Sequence, residues 1–353
     1  MHWKNKILRF AQNDNVNQLL PIPSEFELRG VNRMIGILGF ILGAAAVAAI
    51  ALGSRRLKRW ETLEPRDAAD GDFVALSDGA RMHYVARGDS AAGAPVILIH
   101  GVMDSTRNWE KNIDELARAH RVEAVDLIGF GFSSRETRAR YSLEYYARTL
   151  REFMDARGIA RAYLVGHSLG GAVALELAAR APARVLKIAL INPAVYVINR
   201  LASLNASARV PLLPRAILGL ALSSRVVRDY AFRRALGDPA RFDAAYAEWR
   251  RQPTRVKGTA DALIAIAAAW QPSDLPARLA QIHAPTLVIA GARDSIVPRR
   301  HSERVARELP NAVLRVIANA GHSVYEETPA EIDRLILDFF GAERKESRWT
   351  QSG

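Results

Sequence analysis

Residues 165–171 read Val165-Gly166-His167-Ser168-Leu169-Gly170-Gly171. The apolar run Ala162–Val165 before them is predicted to be a buried strand, and the alanine-rich Ala172–Arg180 after them a helix. The chain must turn sharply at Ser168, which forces the serine into a strained backbone conformation with its hydroxyl turned outward. The residues two positions away on each side have to be small, or strand and helix would collide; here they are Gly166 and Gly170. This is the G-x-S-x-G pattern of a nucleophile elbow in its strand–turn–helix setting. The alternative is a glycine-rich turn of no chemical consequence, and the rest of the chain decides between the two.

Three other apolar runs end in polar loops. Pro95–Ile99 leads into His100-Gly101-Val102-Met103, Pro285–Ala290 into Gly291-Ala292-Arg293-Asp294-Ser295-Ile296-Val297-Pro298, and Val313–Ile317 into Asn319-Ala320-Gly321-His322. Serine, aspartate and histidine thus each follow a predicted strand, in the order Ser168, Asp294, His322. With these motifs the chain, from roughly Gly71 to Gly341, resembles the serine-nucleophile branch of the α/β-hydrolase fold family, which uses that order. The resemblance implies a mostly parallel eight-stranded sheet with helices on both faces and a helical lid inserted after strand six. It implies Ser168 as nucleophile, His322 as general base and then acid, and Asp294 as the group that orients the imidazole. It also implies an oxyanion hole of two backbone N–H groups, Leu169 after the nucleophile and Val102 in the loop after the third strand. Two such donors contribute about 3–4 kcal/mol each to a developing oxyanion. His100 and Gly101 belong to the loop that carries Val102, with His100 expected to prop it, while Gly166 and Gly170 keep the elbow tight. Arg293, next to Asp294, is a candidate competitor for its carboxylate.

Asp126-Leu127-Ile128-Gly129-Phe130-Gly131-Phe132-Ser133 is glycine-rich but lacks the lysine of a phosphate-binding loop, so it is expected to form a structural turn braced by Asp126. Thr106–Ala119 is expected to be one helix, and Tyr141–Arg157 another, capped by Ser142. Thr328-Pro329-Ala330-Glu331 has the pattern of a capping box opening the last helix.

Composition narrows the possibilities. The absence of cysteine among 353 residues excludes disulfides, thiolate catalysis and cysteine-ligated metals. The net charge of +12, carried mainly by arginine, suits nucleic acid, an anionic membrane surface or acidic substrates. No nucleic-acid motif is present, so the membrane surface is favoured. No metal or organic cofactor is implied.

The expected organisation runs in six parts. Residues 1–33 are a disordered leader or an over-extended start. Residues 34–53, uncharged throughout, are long enough to be a transmembrane helix; a buried soluble helix and a cleaved signal peptide are the alternatives. Residues 54–70 are a charged linker in which Trp60 either sits at the membrane interface or packs. Residues 71–193 and 284–341 form the hydrolase core, 194–283 an arginine-rich helical lid, and 342–353 a polar tail. Arg55, Arg56, Lys58 and Arg59 outweigh Arg29 and Arg33, so the positive-inside rule puts the downstream domain on the cytoplasmic side.

The expected function is cleavage of carboxylic esters, esterase- or lipase-like, through an acyl-enzyme. The substrate is a small-molecule or lipid ester, and the membrane is contacted through the N-terminal helix and the basic lid. Alternatives with the same residues are carbon–carbon bond hydrolysis, perhydrolysis, or a non-catalytic membrane-anchored binding module.

Overall fold

The structure, a computed structural model, describes residues 25–89, 94–136, 141–210 and 212–341. The chain divides into two compact units at Ala51/Leu52. The described part of the first is helix α1, Glu25–Trp60, whose last turns belong to the second unit. Helix α1 begins at Glu25, inside the stretch expected as a leader; residues 1–24 lie outside the described residues. The span expected at 34–53 also falls in α1. The side chains of residues 25–42 lie outside the described residues, and among the described residues no helix is long and apolar enough to cross a membrane. The tail expected at 342–353 lies outside them as well.

The second unit is built on eight strands: β1 Asp72–Ala75, β2 Arg81–Arg87, β3 Val96–Ile99, β4 Val122–Val125, β5 Ala162–His167, β6 Val185–Ile191, β7 Thr286–Gly291 and β8 Ala312–Ile317. Their order in the sheet is β1-β2-β4-β3-β5-β6-β7-β8. β1 and β2 pair antiparallel through the Asp78-Gly79 turn, β2 runs antiparallel to β4, and all later pairs are parallel. β3, β4, β5 and β7 are buried on both faces, which is why β3 and the middle of β5 and of β7 read as apolar runs; β4 instead carries the buried Glu123, paired with Arg121 and Arg157. Helices α2 Ile113–Ala117 and α10 Pro329–Gly341 cover one face. The other face is covered by α3 Leu143–Ala156, α4 Leu169–Arg180 and α9 Arg299–Glu308.

Among the described residues between β6 and β7 there is no strand. The main helices there are α5 Leu213–Ser223, α6 Arg225–Ala235, α7 Ala244–Arg251 and α8 Thr259–Ala269. The stretch expected as a charged linker is not loose. Gly53 and Gly219 cross so closely that a Cβ on Gly219 would lie 2.0 Å from the Gly53 carbonyl oxygen. Leu57 is buried with Leu222 and Ala260, and the Glu61 carboxylate accepts from the N–H groups of Gly258 and Ala260 at the start of α8. Trp60 packs rather than standing free: its indole N–H donates to Thr254 O at 3.2 Å, and the Arg228 guanidinium sits 4.2 Å from its ring centre.

Two local expectations fail for identifiable reasons. The helix expected over Thr106–Ala119 breaks into a 3₁₀ turn, Thr106–Trp109, and α2. Ser105 and Asn108 close a capping box of their own, and Asp126 captures the Thr106 N–H at 2.6 Å. The Thr328 hydroxyl donates back to Val324 O instead of capping α10. Ser142 does cap α3, accepting from Tyr145 N at 3.0 Å.

Leu98 in β3 is wholly buried. Leu98→Ala is expected to destabilise the fold by about 2–5 kcal/mol, because the sheet cannot collapse around the void. Urea unfolding of the variant against the parent checks this.

Candidate active site

Ser168 lies between β5 and α4 with φ 52° and ψ −113°. Such a backbone costs a non-glycine residue about 1–3 kcal/mol and persists only where its surroundings enforce it. They do so through backbone contact. A Cβ on Gly170 would lie 2.1 Å from Ile99 O, and one on Gly166 would lie 2.4 Å from Gly170 O. β3 and β5 pair in a register that sets Ile99 beside Gly166. The loop after Ile99 and the elbow after Gly166 therefore leave the sheet side by side. Among the described residues, neither the Val102 nor the Leu169 N–H donates to a protein acceptor.

His322 Nδ1 lies 2.7 Å from Asp294 Oδ2, and both side chains are buried. The other Asp294 oxygen accepts from the N–H groups of Ile296 at 2.7 Å and Val297 at 2.8 Å. Arg293 does not compete for this carboxylate; it points outward toward Gly237 O. Ser168 and His322 line the same cavity, of about 700 Å³. They are not hydrogen-bonded to each other in this conformation, a separation common in triads before substrate binds. Apart from arginines, most of the cavity wall is apolar, with Val102, Val197, Ile198, Leu222, Phe232 and Val297 among its residues.

The supporting residues behave as props. His100 Nδ1 contacts Gly101 O at 2.6 Å and its Nε2 accepts from Leu127 N–H at 3.0 Å, so both ring nitrogens are occupied by loops. Burial lowers its pKa, leaving it neutral. Asp126 accepts from Thr106 N–H, Phe132 N–H and His83 Nδ1, the last two at 2.7 Å. Burial would raise its pKa, but His83 and these donors hold it low. Gly131 turns with φ 55° over this carboxylate, where any Cβ would overlap it.

Three features were not legible in the sequence. Asn192, with φ 45°, ties three strand ends together: its side-chain N–H₂ donates to Gly321 O and His322 O, and its oxygen accepts from Gly291 N–H. The one hint was a polar residue closing an apolar strand. His167 Nε2 also reaches His322 O, at 3.0 Å; burial lowers its pKa to about 4 and keeps it neutral. The third is Arg250, which reaches from α7 of the lid to Asp104 Oδ1 at 2.6 Å and Glu326 Oε2 at 3.0 Å, all three buried from solvent or nearly so. Burial opposes ionisation of Asp104, but Arg250, His167 and His100 together outweigh it and hold that carboxyl far below its usual range. No sequence signal pairs residues 146 positions apart. Among the described residues no cluster of histidine and carboxylate groups has the arrangement to hold a metal ion.

The alpha/beta hydrolase fold family matches residues 94–329. The chain belongs to that family. It is 34% identical over 285 residues to the dihydrolipoyllysine-residue acetyltransferase component of the acetoin cleaving system of Cupriavidus necator, covering 78% of this chain and 70% of the relative. It is 32% identical over 263 residues to a protein assigned as a carbamate hydrolase, RutD, of Pseudomonas savastanoi pv. phaseolicola, covering 74% of this chain and 99% of the relative. It is 32% identical over 266 residues to 2-hydroxymuconate semialdehyde hydrolase of Pseudomonas sp. (strain CF600), covering 71% of this chain and 88% of that one. Among solved structures, a membrane phospholipase A described as a bacterial virulence factor superposes with a TM-score of 0.64 at 25% identity, over 89% of this chain and 99% of that one. This α/β hydrolase therefore shares its fold with enzymes of differing substrate.

Burial pushes the Glu326 carboxyl up to about 7, against the opposing pull of Arg250. The folded chain thus holds this proton over a window, from about 4.5 to about 7, in which the unfolded chain has released it. Stability from this group is greatest below that window and falls as pH rises through it. Glu326→Gln is expected to make the decline of Tm between about pH 5 and about pH 7 shallower; Asp333, raised to about 7 by burial, keeps its own share. Thermal unfolding across pH checks this, and unchanged slopes would refute it.

Proposed function

We propose that this α/β hydrolase cleaves carboxylic esters through an acyl-enzyme on Ser168. The observation that carries the reading is the His322–Asp294 pair, 2.7 Å apart, on the same apolar cavity as a strained serine. His322 Nε2 takes the Ser168 proton as Oγ attacks the ester carbonyl carbon. The resulting oxyanion lies against the Val102 and Leu169 N–H groups. The tetrahedral adduct collapses, the carbonyl–alkoxy bond breaks, and the imidazolium returns the proton to the leaving alcohol. Water, deprotonated by the same imidazole, then attacks the acyl-enzyme, and Ser168 leaves with its proton restored. Asp294 keeps its partner nitrogen protonated and stabilises the imidazolium, itself oriented by the Ile296 and Val297 amides. No metal or organic cofactor takes part. An apolar cavity of this size suits a medium-to-long acyl chain, and the likeness to a membrane phospholipase A supports a lipid ester.

A second reading, hydrolysis of a carbon–carbon bond in a vinylogous diketo acid, is favoured by the similarity to 2-hydroxymuconate semialdehyde hydrolase and by Arg200, Arg228, Arg250 and Arg251 on the cavity wall. We also read the uncharged stretch 34–53 as a single-pass membrane anchor with the hydrolase on the cytoplasmic side, supported by Arg55, Arg56, Lys58 and Arg59. A reporter fused after the C-terminus that is active only outside the cytoplasm stays silent on this reading.

A panel of esters of increasing acyl length tests the main reading. Turnover is expected to peak at medium or long chains. Ser168→Ala should lower kcat by more than about 10⁴-fold, and Asp294→Asn by roughly 10⁴-fold, with the fold intact by circular dichroism. Turnover of a diketo acid but of no ester would establish the second reading instead.

A further inference from the structure

The lid hairpin formed by α5 and α6, joined by the single residue Ser224, exposes what a soluble hairpin would bury. Leu213 and Ile217 stand one turn apart on α5 and are 42% and 56% exposed; Val226 and Tyr230 do the same on α6 at 79% and 65%. Leu212, just before α5, adopts a left-handed backbone with φ 64°, which leucine rarely takes, and is 61% exposed. Apolar surface gathered this way on an otherwise well-packed body marks a contact site.

Its charge says what the contact is with. From Ala194 to Gly237 the chain has seven arginines and one acid, Asp229, a net of +6. Arg215 is paired with Asp261 and Arg225 with Asp229. Arg209, Arg233 and Arg234 have no carboxylate within 4 Å among the described residues; Arg209 donates to the Ala268 carbonyl, and Arg233 donates to the Pro239 carbonyl and lies 3.9 Å from the Phe242 ring centre, so neither charge is neutralised. Apolar side chains among unneutralised arginines are the composition of a helix that lies in the boundary of an anionic bilayer. The same region borders the cavity mouth: Leu204 and Val227 line the cavity and are 45% and 46% exposed.

We propose that the α5–α6 hairpin docks on the surface of a bilayer containing anionic lipid, seating Ile217, Val226 and Tyr230 at the acyl boundary and Arg209, Arg233 and Arg234 among the headgroups. Bound there, the hairpin brings the cavity mouth to the lipid, so an acyl chain passes Leu204 and Val227 without crossing water. The docking stands on the exposed face alone; the delivery of a substrate rests on the ester-hydrolase reading above.

The chain has no cysteine, so single-cysteine labels report cleanly. The full chain, labelled with an environment-sensitive dye at Tyr230→Cys or at Arg334→Cys on the exposed face of α10, is reconstituted into phosphatidylcholine vesicles carrying a lipid-borne quencher, with and without phosphatidylglycerol. The dye at position 230 is expected to be quenched several-fold more than that at 334, with the difference growing on phosphatidylglycerol. Arg233→Gln with Arg234→Gln should reduce that growth by roughly tenfold. Equal quenching at the two positions, or indifference to phosphatidylglycerol, overturns the docking. Val226→Glu with Tyr230→Glu, neither on the cavity wall, is expected to retain turnover of a soluble short-chain ester and lose about tenfold on vesicle-packed lipid ester. Equal loss on both substrates overturns the delivery step. If the parent turns over no ester, the ester reading fails while the dye still reports docking.

Discussion

The site depends on one place where backbone touches backbone. Gly170, in the first turn of α4, lies against the Ile99 carbonyl, and Gly166 lies against Gly170. No side chain fits between them, so the helix after Ser168 starts within van der Waals reach of the strand that precedes the His100–Met103 loop. With Ile99 in register with Gly166, the elbow and that loop emerge together. The strain at Ser168 is held by these contacts, and the parallel sheet that makes them collects the other reactive loops along the same edge. β6 ends beside β5, and β7 beside β8, with Asn192 stapling the ends of β6 and β7 to the loop that carries His322.

Behind this edge lies a layer of buried polar groups that support the reacting ones without joining them. His100, Asp126, His83 and His167 are almost free of solvent, and His100 and Asp126 spend their hydrogen bonds on loop amides and carbonyls. In a low-dielectric interior such groups are costly when unpaired and rigid when satisfied. Their effect is to fix the loop after β3 and the elbow at Ser168 against their neighbours. Arg250 extends that support into the lid. Bridging Asp104, beside the loop after β3, and Glu326, four residues after His322, it ties α7 to both segments.

The lid is also bound from its other side. The interlocked glycines 53 and 219, the buried Leu57, the Glu61 carboxylate on the α8 amides and the Trp60 indole against Arg228 make the last turns of α1 part of the lid packing. Arg228 itself lines the cavity. A segment that composition marks as a linker is thus continuous, through one arginine, with the wall of the cavity that Ser168 and His322 line.

The sequence by itself determined the sheet, the elbow and the three residues that follow strands five, seven and eight. These rest on short-range rules: buried parallel strands read as apolar runs, a sharp strand–helix turn demands glycines at set spacing, and a serine there is meaningful only with an acid and a histidine at later strand ends. That His100 would prop its loop was implied by the resemblance; of its two partners Gly101 is adjacent in sequence, whereas Leu127 is 27 residues away and meets it only through the fold. Tertiary structure alone decided what joins distant segments: Asn192 bridging strand ends, Arg250 bridging lid and core, Trp60 and Glu61 closing on the lid, and the apolar stripes of α5 and α6 left uncovered. It also decided against a single helix at 106–119, because Asp126, twenty residues from Thr106, claims an amide that local propensity had assigned to that helix. Local pattern specifies what a segment prefers to be; which polar groups meet, and which apolar faces find no partner, is set by packing between segments that periodicity does not relate.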